Sequence, residues 1–135
     1  MKIFYKTRAT ATGGRSGHTE LDDGSLAFDL VRPGSGQAGV NPEQLFALGY
    51  AACFDSALSM VAEQKKLTVT AKTSVEVGIG QRAEGGYALD IDIYIETQGI
   101  TEAEARNLIE ATHQVCPYSN ATRDNIDVRL HITAL

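Results

Sequence analysis

The chain has 135 residues, 43% of them hydrophobic and 21% charged, which suffices for one folded domain over 1–135 and excludes intrinsic disorder. A net charge of −5 and a pI near 5.1 leave no basic stripe to displace counterions from phosphates, which excludes nucleic acid as a general partner. The N-terminal MKIFYKTRATAT alternates apolar and polar residues and lacks the unbroken apolar run of a secretion signal, so the expected location is cytoplasmic.

Residues 2–11 alternate in the manner of a strand, with Ile3 and Tyr5 on one face, and GGRSG at 13–17 reads as a turn. After the DDG turn at 22–24, Leu26, Phe28 and Leu30 fall at period two, and RPGSGQAG then forms a loop. NPEQLF opens a helix: Asn41 is the expected N-cap, Pro42 the first helical residue, and Glu43 an acid favoured by the dipole in the first turn. This helix is expected to run to about Lys66. Between Leu45 and Ala62 only Asp55, Ser56 and Ser59 are strongly polar, so the helix is apolar nearly all round and has to be buried on several sides. Asp55 near its middle, with diluting Gly, Ala and Ser, argues against a membrane span.

Val69 to Ile79 and Leu89 to Ile95 form two further alternating runs, joined through AEGG at 83–86 as a hairpin. Thr101 with Glu104 three residues on is a capping box, and the apolar positions 105, 108, 109, 112, 115 and 116 follow a helical period. Ile126, Val128, Leu130 and Ile132 alternate in a last strand. The order βββ-α-ββ-α-β specifies an α+β domain with antiparallel sheets around a buried central helix. One small sheet and one short helix cannot cover a helix without a polar face, so a homodimer is expected.

The two cysteines are not equivalent. In a reducing compartment they are not expected to form a permanent staple. Cys53 lies in the helix interior, beyond the reach of the N-terminal dipole, and its helical neighbours Gly49, Tyr50, Ser56 and Ala57 carry no cation. Its thiol is therefore expected to have a raised pKa unless a distant cation lowers it. Cys116 stands at a helix C-terminus, with Pro117 preventing continuation, where a thiolate is disfavoured. Two readings stand on the residues alone: small buried core filler, or an attacking thiol at Cys53 with Cys116 resolving its sulfenic acid.

TGGRSGH at 12–18, NPEQLFALGYAACF at 41–54 and HQVCPYSNATRDNIDVRL at 113–130, in this element order, resemble the organic hydroperoxide resistance proteins of the OsmC/Ohr superfamily over essentially the whole chain. The resemblance implies an intertwined homodimer acting as a cytoplasmic, thiol-dependent peroxidase in the oxidative stress response. Its substrates would be alkyl and fatty-acid hydroperoxides. It would use no bound cofactor or metal and no membrane, and an external dihydrolipoyl dithiol, free or on a lipoylated protein, would re-reduce it. Carried over by motif, Cys53 is the peroxidatic thiol and Cys116 the resolving thiol. Arg15 stands beside the peroxidatic sulfur, and Glu43 holds Arg15. One departure is RPGSGQAGV, a few residues shorter than the family's usual glycine-rich loop.

Glu43 and Cys53 are ten residues apart on one helix, about 15 Å along its axis. For Glu43, Arg15 and Cys53 to touch, some must come from different subunits or Arg15 must span a long gap, which predicts a site at the dimer interface. Without the resemblance, Arg15 is a solvated turn residue and Glu43 an acid on a helix dipole. The alternative to an enzyme is a non-catalytic redox-sensing or ligand-binding module of the same fold.

Overall fold

The computed structural model describes residues 1–135, which cluster into two compact units, Met1–Leu45 and Phe46–Leu135. In the first unit β1 (Ala9–Thr12), β2 (His18–Leu21) and β3 (Ala27–Asp29) form an antiparallel sheet in that order. A 3-10 turn over Gly14–Ser16 joins β1 to β2. Glycine is required at Gly17, where a Cβ would lie 1.9 Å from the Thr12 carbonyl oxygen. The strand expected over 2–11 forms only from Ala9 onward. A strand needs a partner edge: the Arg8 carbonyl still accepts from the Asp22 N–H, but Met1–Thr7 finds no such edge in this chain, leaving Phe4 89% and Tyr5 79% exposed.

The long helix α1 (Pro42–Gln64) starts where the cap predicts. Asn41 Oδ1 accepts from the Gln44 N–H at 2.9 Å, and Gln44 Oε1 accepts from the Asn41 N–H at 2.8 Å, a reciprocal box that satisfies two end donors. The helix closes with Lys66 in the left-handed region and the Leu67 N–H on the Ala62 carbonyl.

In the second unit β4 (Thr70–Gln81), β5 (Tyr87–Gln98) and β6 (Val128–Ala134) make the other sheet, with β5 central. The β4–β5 hairpin pairs Val75 with Ile93 and Val77 with Ile91. The β6 strand corrects the expectation of antiparallel sheets: it runs parallel to β5, with Ile93 opposite Leu130. The chain between them, with α2 (Glu102–Val115) and α3 (Pro117–Thr122), supplies the crossover that parallel pairing requires.

Tyr50, Phe54, Ala57, Leu58, Val61 and Ala62 form one buried stripe of α1, packed with Ile91, Ile93 and Ile95 of β5 and Leu108 and Ile109 of α2. By length and composition α1 could cross a membrane, but this stripe is the core of the second unit. Burial on several sides does not hold within one chain, since Leu48 stays 65% exposed and Met60 47%. Asp55, the acid inside the apolar run, accepts a hydrogen bond from Thr73 Oγ1 of β4 at 3.0 Å. The α2 helix opens on the expected Thr101–Glu104 capping box, but Val115, assigned to its inner face by periodicity, is 44% exposed.

Candidate active site

Cys116 joins two helices. Its N–H bonds the Thr112 carbonyl and closes α2, while its extended backbone, φ −62° and ψ 124°, is the conformation a following proline demands. Pro117 does not merely stop a helix, as its sequence position suggests. It is the first residue of α3, where its missing N–H costs nothing and its φ is preset. Cys116 is therefore the C-cap of one helix and the N-cap of the next, and the dipole argument against its thiolate loses its one-sided basis.

This corner brings the Cys116 sulfur to 3.9 Å from that of Cys53 on α1, both cysteines being free thiols. A disulfide needs about 2.05 Å, so the sulfurs have to close by a little under 2 Å. Cys116 is fully buried and Cys53 only half-buried. Burial pushes the Cys53 thiol up from its ordinary pKa, opposed by the Tyr118 backbone N–H that points at the sulfur, while Cys116 adds to the rise. The immediate surroundings therefore hold Cys53 as a thiol, and a thiolate requires a cation from elsewhere.

Close approach of α3 to α1 depends on Gly49. A Cβ there would meet the Tyr118 hydroxyl at 2.6 Å and its ring carbons at 3.1 and 3.3 Å. The Tyr118 ring lies edge-on to Phe46 with centroids 5.8 Å apart and tilted against Tyr50 at 5.5 Å. Beneath it, the buried Ser119 hydroxyl lies 2.8 Å from the Tyr50 hydroxyl and 2.8 Å from His113 Nδ1. Sequence reasoning did not single out Tyr118, Gly49 or Ser119.

In the first unit, Arg15 rides on the 3-10 turn and faces the first turn of α1. Its two terminal nitrogens meet both Glu43 oxygens, Nη1 to Oε2 at 2.8 Å and Nη2 to Oε1 at 2.5 Å. Side-chain exposure is 47% for Arg15 and 12% for Glu43, so the carboxylate is largely spent on the pair while the guanidinium keeps an open edge. The hydrogen bonds from Arg15 hold the Glu43 carboxyl below its ordinary pKa and raise the guanidinium in turn. Arg15 and Glu43 meet within one chain. Of the four expected site residues, the fold brings Cys53 to Cys116 in one unit and Arg15 to Glu43 in the other. No three His, Cys, Asp or Glu side chains converge as metal ligands would.

Residues 34–131 match the profile of the family described as OsmC-like protein. The organic hydroperoxide resistance protein of Xanthomonas axonopodis pv. citri is 48% identical over 135 residues, covering 96% of this chain and 94% of that protein. Organic hydroperoxide resistance protein OhrB of Bacillus subtilis is 41% identical over 133 residues, 96% of this chain and 98% of its own length. Among solved structures, an organic hydroperoxide resistance protein from Elizabethkingia anophelis superposes with a TM-score of 0.92 at 47% identity, with full coverage of both chains.

Proposed function

The chain belongs to the OsmC family, among its organic hydroperoxide resistance proteins, and from that premise we propose that it is a thiol peroxidase reducing alkyl and fatty-acid hydroperoxides. The observation that carries this reading is the pair of free sulfurs 3.9 Å apart, one reachable from outside and one sealed. Such a pair suits a two-step cycle. The Cys53 thiolate attacks the distal peroxide oxygen, the O–O bond breaks, the alkoxide leaves and takes up a proton as alcohol, and the sulfur is oxidised to sulfenic acid. The Cys116 thiol then displaces hydroxide from that sulfur, which leaves as water, and the Cys53–Cys116 disulfide forms. A dithiol of the dihydrolipoyl class reduces the disulfide by exchange and leaves oxidised.

Arg15 supplies the cation that Cys53 lacks. Its open edge favours thiolate over thiol and stabilises charge on the leaving oxygen, while Glu43 fixes the guanidinium plane through both terminal nitrogens. The working unit is a homodimer in the cytoplasm. The dimer is supported by the unpaired, alternating Met1–Thr7 segment with its exposed Phe4 and Tyr5, and by the exposed Leu48 and Met60 of α1.

Steady-state rates with tert-butyl hydroperoxide and with hydrogen peroxide, each driven by dihydrolipoamide and then by thioredoxin, test the assignment. The expected result is turnover with the alkyl substrate and the dihydrolipoyl donor well above the other three combinations. Equal turnover in all four, or none in any, removes the proposed specificity.

A further inference from the structure

We propose that Ser119, bridging Tyr50 and His113, is a positioning residue for disulfide closure, holding the Cys116 corner against the helix that carries Cys53. The proposal rests on the peroxidase reading above and concerns only its second step, in which the Cys53 sulfenic acid and the Cys116 thiol give a disulfide and water. A sulfenic acid left waiting can be oxidised further and irreversibly, so this step benefits from a resolving sulfur already in place.

The corner cannot hold itself. α3 has six residues, far too few for a helix to be stable alone, and Pro117 contributes no N–H to anchor it. Its polar attachment is the buried Ser119 hydroxyl. That hydroxyl lies 2.8 Å from the Tyr50 hydroxyl on α1 and 2.8 Å from His113 Nδ1 on α2. One side chain thus ties together the helix bearing Cys53, the helix that ends at Cys116 and the helix that begins there. Two further contacts close the frame: Tyr50 Oη lies 3.3 Å from Thr122 Oγ1, and Arg123 Nη2 donates to the His113 carbonyl.

The donors and acceptors are consistent. Burial, with Arg123 nearby, lowers the His113 pKa, and a neutral ring offers Nδ1 as an acceptor. Ser119 then donates its single proton to Nδ1 and accepts from Tyr50, so each hydroxyl donates once. Ser119 and His113 do not contact the Cys53 sulfur, and the frame meets the first chemical step through the Tyr118 N–H that points at that sulfur.

The test is a stopped-flow comparison of wild type with Tyr50→Phe, Ser119→Ala, His113→Leu and His113→Asn. Sulfenic acid formation with tert-butyl hydroperoxide is followed by dimedone trapping, and disulfide closure by loss of the trappable species. Tyr50→Phe and Ser119→Ala are expected to slow closure by on the order of tenfold or more, since misplacements near 1 Å carry such penalties, and to slow sulfenic acid formation much less. His113→Asn keeps an acceptor near the Nδ1 position and is expected to close faster than His113→Leu. Tyr50→Phe removes a single hydroxyl and serves if Ser119→Ala folds poorly. Closure at the wild-type rate in Tyr50→Phe, or equal slowing of both steps, overturns the proposal while the peroxidase reading stands. Wild-type protein that forms no sulfenic acid at all sinks both.

Discussion

Burial holds the Cys53 thiol above its ordinary pKa against the opposing Tyr118 N–H, so the reactivity proposed for it rests on a cation distant in sequence. Arg15→Lys tests that dependence: a point charge cannot reproduce the two-pronged pairing with Glu43. The variant is expected to slow sulfenic acid formation by on the order of tenfold and closure much less, read by the same trapping kinetics. Glu43 gives the pair a pH signature. Its folded pKa lies below the ordinary carboxyl value, so the stability it contributes is present above that ordinary value and is lost as pH falls through the folded one. Urea midpoints of wild type and Glu43→Gln are therefore expected to differ near pH 6 and to converge as pH falls through the lowered Glu43 pKa. The members of the Cys53–Cys116 and Arg15–Glu43 pairs were legible as motif positions, and the weakness of an unassisted Cys53 followed from its helical neighbours alone. Ser119 and Tyr118 were not legible, because a serine and a tyrosine after a proline carry no local pattern. Their meaning comes from Tyr50, Gly49 and His113, which the fold brings beside them.

At the scale of elements, α1 is the piece its local chemistry defined best: cap, first-turn acid and length all follow from NPEQLF and the apolar run behind it. The sequence-based account missed Gln44 as partner of Asn41, although the spacing of three is that of a capping box. It also missed the direction of β6, for a physical reason: alternation shows which residues face the core and says nothing about strand polarity. The intervening chain, long enough for a crossover, was the signal available. The junction of α2 and α3 depends on one contact that can be tested directly. Gly49→Ala places a methyl where the Tyr118 ring now lies, and the expected cost is about 1–3 kcal/mol in chemical denaturation together with slower disulfide closure. An unchanged midpoint and an unchanged closure rate contradict this description of the corner.

For the molecule as a whole, the features unexplained within one chain point the same way. The Met1–Thr7 segment alternates like a strand yet pairs with no other strand of this chain, and α1 leaves large apolar side chains open away from its buried stripe. Sedimentation equilibrium is expected to give about 29 kDa, twice the 14.5 kDa of the chain, and removal of residues 1–8 is expected to weaken that association. A monomer at all concentrations contradicts the proposed assembly without touching the thiol chemistry. That chemistry is tested most directly by counting thiols after reduced protein meets tert-butyl hydroperoxide with no reductant present. Wild type is expected to lose both thiols for about one equivalent of peroxide consumed, Cys116→Ser to consume about one equivalent and accumulate a trappable sulfenic acid, and Cys53→Ser to consume none. Peroxide consumption by Cys53→Ser at the wild-type rate contradicts the account.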